Sequence, residues 1–452
     1  MRHRRSAGRR VVSRKGFHPG LAGAACVRGL ALLGLLLMLP PLLSCRTRAG
    51  WVTYRGEQGQ GRTPTTVYPP FAVKWKLQLQ LDDRPVRAFN PPVVLEDTIY
   101  FGSWDGNFYA LDIESGFMRW VFKTQGPINS VPAADEENIY FGSNDGRAYA
   151  VSRKDGSALW SFDTGRTVQS NFSRYGDRVI FTSDLGATYF LSENGVEIQR
   201  VPNPVWLYHT YQVYRDVMYF APGPRSRPVS FGAYDINQEV YLWIVDTLAD
   251  NATWYSFPAL KNRYLYYGTC GDFGDSWEFV YLALERETGR LLWERVERSR
   301  FGSNLPASPS VLFDQNLDLL DYMAPSLWRR LVIYTSGDTV VRAFHRKSGR
   351  IVWERTFETP TSSAPTVAGD RVYFGLLEGG VAGAAGGPGA PARSEGPSAE
   401  TAARLVCLSA RDGRLLWDME TEGAILSAPV VAGKWVVFGT DRNFFYVMEE
   451  VF

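Results

Sequence analysis

Two consecutive forty-residue stretches are variants of one pattern, and that period constrains the fold more than any other feature of the chain. The first reads PPVVLEDTIYFGSWDGNFYALDIESGFMRWVFKTQGPINS, from Pro91 to Ser130; the second reads VPAADEENIYFGSNDGRAYAVSRKDGSALWSFDTGRTVQS, from Val131 to Ser170. Ile-Tyr-Phe-Gly-Ser returns at residues 99–103 and 139–143, Asp-Gly at 105–106 and 145–146, and a tryptophan ends each unit at Trp120 and Trp160. Each unit carries four short strand signals separated by turn residues. A sheet that small cannot cover both of its faces, so units of this period stack around an axis as the blades of a propeller.

The phrase joining the third and fourth strands traces the other blades. It reads ALDIESGFMRW (110–120), AVSRKDGSALW (150–160), FLSENGVEIQ (190–199), AYDINQEVYLW (233–243), ALERETGRLLW (283–293), AFHRKSGRIVW (343–353) and CLSARDGRLLW (407–417). The glycine suits a tight turn between antiparallel strands that needs positive φ. The tryptophan fills the wedge between the outer parts of adjacent blades while its N–H finds a carbonyl. Phe71–Leu79 has the character of a fourth strand, with Trp75 as terminator but no first three strands before it. Those three appear at the other end, from Ser427 to Met448. Joining the two partial blades closes the ring and removes open sheet edges. The expected fold is all-β: an eight-bladed β-propeller of four-stranded antiparallel blades over residues 71–452, with Trp75, Trp120, Trp160, Trp243, Trp293, Trp353 and Trp417 as structural blade residues and Gln199 breaking the series.

The formal net charge of +2 conceals two unlike regions. Residues 1–45 hold eight Arg or Lys and no acid, which leaves 41 basic and 47 acidic residues, a net of −6, for the rest. A nucleic-acid partner is disfavoured, since no basic excess is left to meet phosphate. The Arg-rich start precedes an apolar run from Leu30 to Leu43, shorter than a membrane span, and residues 1–44 read as an export signal. Leu42-Leu43-Ser44-Cys45 resembles a bacterial lipobox, which implies cleavage before Cys45 and a lipid on its thiol. Arg46 in place of an aspartate favours, by the same resemblance, the periplasmic face of the outer membrane. Residues 45–70, rich in Gly, Gln, Thr and Pro, read as a lipidated, loose tether. Cys270 and Cys407 fall in different blades and are expected as buried free thiols.

Small polar residues open the first strands: Asn90, Ser130, Ser170, Thr210, Ser256, Ser308, Ser363 and Ser427. They suit packing at a narrow axis, with a ligand-binding ring as the alternative. Extended second-to-third-strand loops are expected at 221–232, 268–278 and 376–404, the last Gly/Ala/Pro-rich and disordered. Residues 314–330 are expected as an insertion between the first and second strands of the sixth blade, able to form a short helix on the opposite face. A protein partner is expected to dock in the sector of blades three to five, on Trp206, Leu207 and Tyr208, Arg225 and Arg227, and Phe273 and Trp277. Clustered aromatics and arginines are what interface hot spots are made of.

The recurring A-x-D-x-x-T/S-G-x-x-x-W phrase resembles the repeat of the pyrroloquinoline-quinone (PQQ)-like propeller superfamily over about residues 71–452, and is most similar to BamB-type outer-membrane assembly lipoproteins. That superfamily also includes quinoprotein dehydrogenases, so the resemblance implies the fold and leaves activity open. Quinoprotein alcohol dehydrogenases typically carry adjacent cysteines over the cofactor and acidic or amide ligands for calcium. This chain has no two adjacent cysteines, no D-x-D-x-D-G loop, and after residue 45 only His209 and His345. There is no G-x-S-x-G and no phosphate-binding G-x-x-x-x-G-K. The resemblance therefore implies a non-catalytic, lipid-anchored, monomeric scaffold without cofactor or metal. Its partner would be an envelope protein such as a β-barrel assembly subunit. The alternatives are a PQQ-dependent dehydrogenase, or an envelope propeller for polysaccharide or a secretion machine.

Overall fold

The computed structural model describes residues 50–56, 59–79, 89–184, 187–202, 211–221, 230–246, 254–273, 276–299, 324–378 and 402–451. The strands form eight antiparallel blades, and the chain is an eight-bladed β-propeller. Blade one comprises Val93–Leu95, Thr98–Gly102, Asn107–Asp112 and Met118–Lys123, from axis to rim. Blade two repeats it with Ala133–Ala134, Asn138–Gly142, Arg147–Ser152 and Ala158–Asp163. Blade eight takes its inner three strands from the C-terminus, Val430–Ala432, Trp435–Gly439 and Phe444–Glu450. Its rim strand, Phe71–Gln78, comes from the other end of the chain. Its register runs from Phe71↔Glu450 to Gln78↔Phe444, with Trp75 opposite Val447.

One contact recurs at six of the eight seams between blades. Trp75, Trp120, Trp160, Trp243, Trp293 and Trp353 donate their indole N–H to Ile113, Arg153, Glu193, Arg286, Arg346 and Ala410 respectively, carbonyls in the outer turn of the following blade, at 2.7–3.1 Å. Trp417 instead meets Phe71 edge-on at 5.3 Å. The turn glycine matters twice. Gly116 has φ +75, and a Cβ there would lie 2.9 Å from the Trp75 indole. At the seam of blades three and four both partners change together. Gln199 stands in for the tryptophan and donates to the Tyr234 hydroxyl at 2.9 Å, and the glycine position of blade four is Glu239, still left-handed at φ 59. With no indole above it, that turn has room for a side chain.

Two sequence expectations change. Residues 268–273 and 276–278, expected in a loop, are instead parts of the two long strands of blade five, Tyr264–Phe273 and Ser276–Glu285, which pair along their whole length. The inner strand of blade six is Ser326–Trp328, not a strand opening at Ser308. Leu327 and Trp328 therefore belong to the blade, and the insertion precedes its first strand instead of following it. The proposed helical part, 314–323, and Ser308 lie outside the described residues, as does 379–401 of the Gly/Ala/Pro-rich stretch.

Candidate functional site

The concavity that a ring of blades offers a ligand is its axial channel. The first polar residue of each inner strand was a candidate to line it. Four of those hydroxyls turn into their own blade: Ser130, Ser170, Ser256 and Ser363 accept from the N–H of Gly142, Thr182, Gly268 and Gly375 at 2.8–2.9 Å. Asn90 donates to the carbonyls of Asn129 and Ser130. The four serines thus bond the second strand of their own blade, and Asn90 bonds the connection into blade two.

In five blades the next residue packs against the chain's own N-terminal segment. Tyr54 packs in one buried cluster with Val131, Phe257, Ala324, Ala364 and Ala428, drawn from blades two, five, six, seven and eight. Its ring meets Phe257 edge-on at 4.8 Å. Residues 50–70 are thus not a loose tether. Gly50–Trp51 adds an antiparallel strand to the inner edge of blade one, with Gly50 opposite Leu95 and Trp51 opposite Val94. The chain rises to Arg55, turns, and descends as Arg62–Thr63, parallel to Thr366–Ala368 of blade seven. Val67 and Trp51 are buried, and the Val67 carbonyl accepts from the Tyr373 hydroxyl at 2.8 Å.

Arg55 holds the top of this loop. It is 1% exposed. Its Nη1 donates to the Pro365 carbonyl at 3.0 Å, and its Nη2 donates to the Pro325 carbonyl at 2.9 Å and the Ser326 hydroxyl at 3.0 Å. The small alanines at 324 and 364 make room for this planar group. Gly61, at φ +60, completes the fit, since a Cβ there would collide with Ser326 and the guanidinium. Sequence reading missed this site because composition suggested a tether. The available signal was Trp51, Tyr54 and Arg55, bulky residues inside a Gly/Gln-rich run.

Of the residues expected to dock a partner, Trp206, Leu207, Tyr208, Arg225 and Arg227 lie outside the described residues. Phe273 lies in the last pair before the chain reversal of the blade-five hairpin, Phe273↔Ser276, and Trp277 in the pair next to it, Asp272↔Trp277. Cys45 is also outside the described residues, and Cys270 and Cys407 are buried in different blades. Burial pushes the Cys407 thiol up to about 12, so it is a poor nucleophile.

One buried ion pair breaks the repeat. In blade two Asp145 accepts from the Arg147 N–H at 3.0 Å and the Tyr149 hydroxyl at 2.7 Å. In blade six Asp338 accepts from the Val340 N–H at 2.9 Å, and Arg342 replaces the tyrosine, 2.9 Å from the carboxylate. Arg342 also donates to the Tyr281 hydroxyl of blade five at 3.1 Å. Burial pushes the Asp338 carboxyl up against the pull of Arg342. The arrangement ties blades five and six together; among the described residues no set of three or more His, Cys, Asp or Glu could hold a metal.

The family model described as outer membrane protein assembly factor BamB matches residues 72–202, 279–385 and 376–450. The chain belongs to this BamB family. No curated protein sequence matches it. Among solved structures it resembles BamB from Moraxella catarrhalis, at 15% identity and TM-score 0.57, over 84% of this chain and 98% of that one. It also resembles the quinohemoprotein alcohol dehydrogenase from Comamonas testosteroni, at 14% identity and TM-score 0.64, over 89% and 80%. A europium-containing methanol dehydrogenase matches at 12% identity and TM-score 0.60, over 89% and 98%. At these identities the likeness is one of fold: BamB and dehydrogenases share it, and the fold alone leaves catalysis open.

Proposed function

We propose that this BamB-family chain is a non-catalytic, lipid-anchored scaffold of the outer membrane that binds an envelope protein and serves outer-membrane protein assembly. The observation that carries the reading is the occupied axis. The channel in which a propeller would house a small molecule is filled by Tyr54, and the Arg55 guanidinium is spent on carbonyls of blades six and seven. The absence of adjacent cysteines in the sequence points the same way. Cys45 carries the lipid on this reading. The partner docks on mid-propeller loops that include Trp206, Leu207, Tyr208, Arg225, Arg227, Phe273 and Trp277.

Co-purification from detergent-solubilised envelopes tests the scaffold. A β-barrel assembly subunit is expected with the wild type, and Trp206→Ala or Arg227→Ala should weaken its binding by about 2 kcal/mol or more without loss of fold. Recovery unchanged in both variants removes this docking sector. The dehydrogenase reading is tested separately by reconstitution with PQQ and calcium and dye-linked assay over alcohols and sugars. Stoichiometric PQQ binding with substrate-dependent dye reduction would overturn the non-catalytic reading.

A further inference from the structure

We propose that the turns of blade six form a docking surface for an anionic lipid bilayer. The first hairpin of that blade carries Arg329 and Arg330, and the turn between its outer strands, Val340–His345 and Ile351–Thr356, carries Arg346, Lys347 and Arg350. The two turns touch, because the Arg346 N–H donates to the Arg330 carbonyl at 2.8 Å. Arg329, Arg330, Lys347 and Arg350 are exposed and Arg346 is half-buried. Among the described residues none of the five pairs with a carboxylate, whereas Arg263 and Arg290 of blade five share Glu285. Arg329 lies over the half-buried Trp328 ring at 5.0 Å, which places an aromatic beside the charges. The concentration is specific to this blade. At the matching positions blade one has Glu96 and Asp97 in the hairpin and Ile113 and Glu114 in the turn.

The path of the N-terminal segment identifies the occupant. Gly50 pairs with Leu95, the residue beside the first hairpin of blade one, and the chain rises into the axis from there. It therefore enters through the face that carries the first hairpins and outer turns of every blade, including the cations of blade six. Cys45 is five residues from Gly50, a reach of about 17 Å even when fully extended. On the reading of Cys45 as the lipid-bearing residue, this face lies against the bilayer. Its cations project from hairpin tips rather than converge in a cleft, which suits a planar array of phosphates. Guanidinium groups bind phosphate oxygens in pairs.

The full-length protein is mixed with phosphatidylcholine vesicles with and without phosphatidylglycerol, beside the variant R329E/R330E/K347E. Glu96 holds φ 58 at the position matching Arg329, whose φ is 46, so the backbone accepts glutamate there. Partition of the wild type onto anionic vesicles should fall about 100-fold in the variant at low salt, with neutral vesicles and the unfolding midpoint unaffected. Any pull from the Arg-rich N-terminus is common to both proteins and cancels. An environment-sensitive dye on Ser348→Cys should respond to the anionic vesicles, and one on Asn144→Cys, at the other end of a blade, should not. Equal binding of wild type and variant, or a loss confined to an acidic polypeptide such as polyglutamate, overturns the lipid surface. Mass spectrometry of Cys45 keeps the two readings apart. An unmodified Cys45 with the charge-reversal loss intact removes the anchor alone, and a lipidated Cys45 with no such loss removes the patch alone.

Discussion

Residues 50–63 and 71–78 leave the same end of the chain and both join the propeller as added strands, yet they do different work. The later one, Phe71–Gln78, supplies a missing rim strand: an eight-residue strand paired along its length except for a bulge at Lys74, with Trp75 bonded into blade one. The earlier one adds two short pairings, to blades one and seven, and accepts single backbone hydrogen bonds from Ala134 of blade two and Leu327 of blade six, while burying Trp51, Tyr54 and Arg55. One closes a perimeter, the other fills a hole. A perimeter left open exposes a sheet edge and a blade interface, whereas an unfilled hole withdraws one buried cluster from an already closed ring.

Deletions test the contrast most strongly. Removing Trp435–Phe452 strips the rim strand of its partner, and the product should aggregate without a cooperative unfolding transition. Removing residues 50–63 should leave a soluble, cooperatively folding ring with a lowered urea midpoint. If the two deletions behave alike, the distinction between perimeter and axis fails. Arg55→Ala is next in size. It leaves the Pro325 carbonyl buried without its guanidinium donor, while the Pro365 carbonyl keeps the Ser326 hydroxyl, and should cost about 3 kcal/mol in equilibrium unfolding. A cost below about 1 kcal/mol would mean the loop top holds by packing alone.

Gly116→Ala sharpens the perimeter side. It forces a left-handed alanine against the Trp75 indole and should cost about 2 kcal/mol, against about 1 kcal/mol for Gly176→Ala. Gly176 has a similar φ of +60 with nothing within 4 Å of its Cβ position. Equal losses would place the whole effect in the backbone. The smallest effect belongs to Asp112, in the same turn. Hydrogen bonds from Arg119, then from Ser115, lower its carboxyl to about 2. The folded value lies below the unfolded one, so the stabilisation is present above about pH 4 and is lost as the pH falls toward 2. At this exposed site Asp112→Asn should cost under about 1 kcal/mol at neutral pH, and the two proteins should converge in acid-unfolding curves.

The perimeter was legible in the sequence because its signals repeat. Seven tryptophans in register and an orphan strand around Trp75 dictate a ring closed by the two chain ends. The axis was not legible, because its occupant occurs once and its glycines and glutamine read as flexible chain. Gly61 is needed for close approach to Arg55 and Ser326, and nothing in composition separates that use from looseness. The inner strand of blade six was misplaced for a related reason. Ala324-Pro325-Ser326 matches Ala364-Pro365-Thr366, but Met323 stands where Ser363 would have marked the strand, and Ser308 drew the assignment upstream. The residues proposed for docking in blades three to five lie in segments that do not repeat, where periodicity carries no information.

The path of residues 50–63 has a mechanical consequence. A pull on the chain ahead of Gly50 runs along the Gly50–Trp51 strand and loads its pairing with Val94–Leu95 in shear. The force then meets the Arg55 turn, wedged beneath carbonyls of blades six and seven, before any of it reaches Phe71 and the rim of blade eight. The loop acts as a strain relief, like a cord knotted inside its housing. In single-molecule pulling from residue 46, release of the axial loop should precede opening of the ring as a separate step, and Arg55→Ala should lower the force of that first step alone.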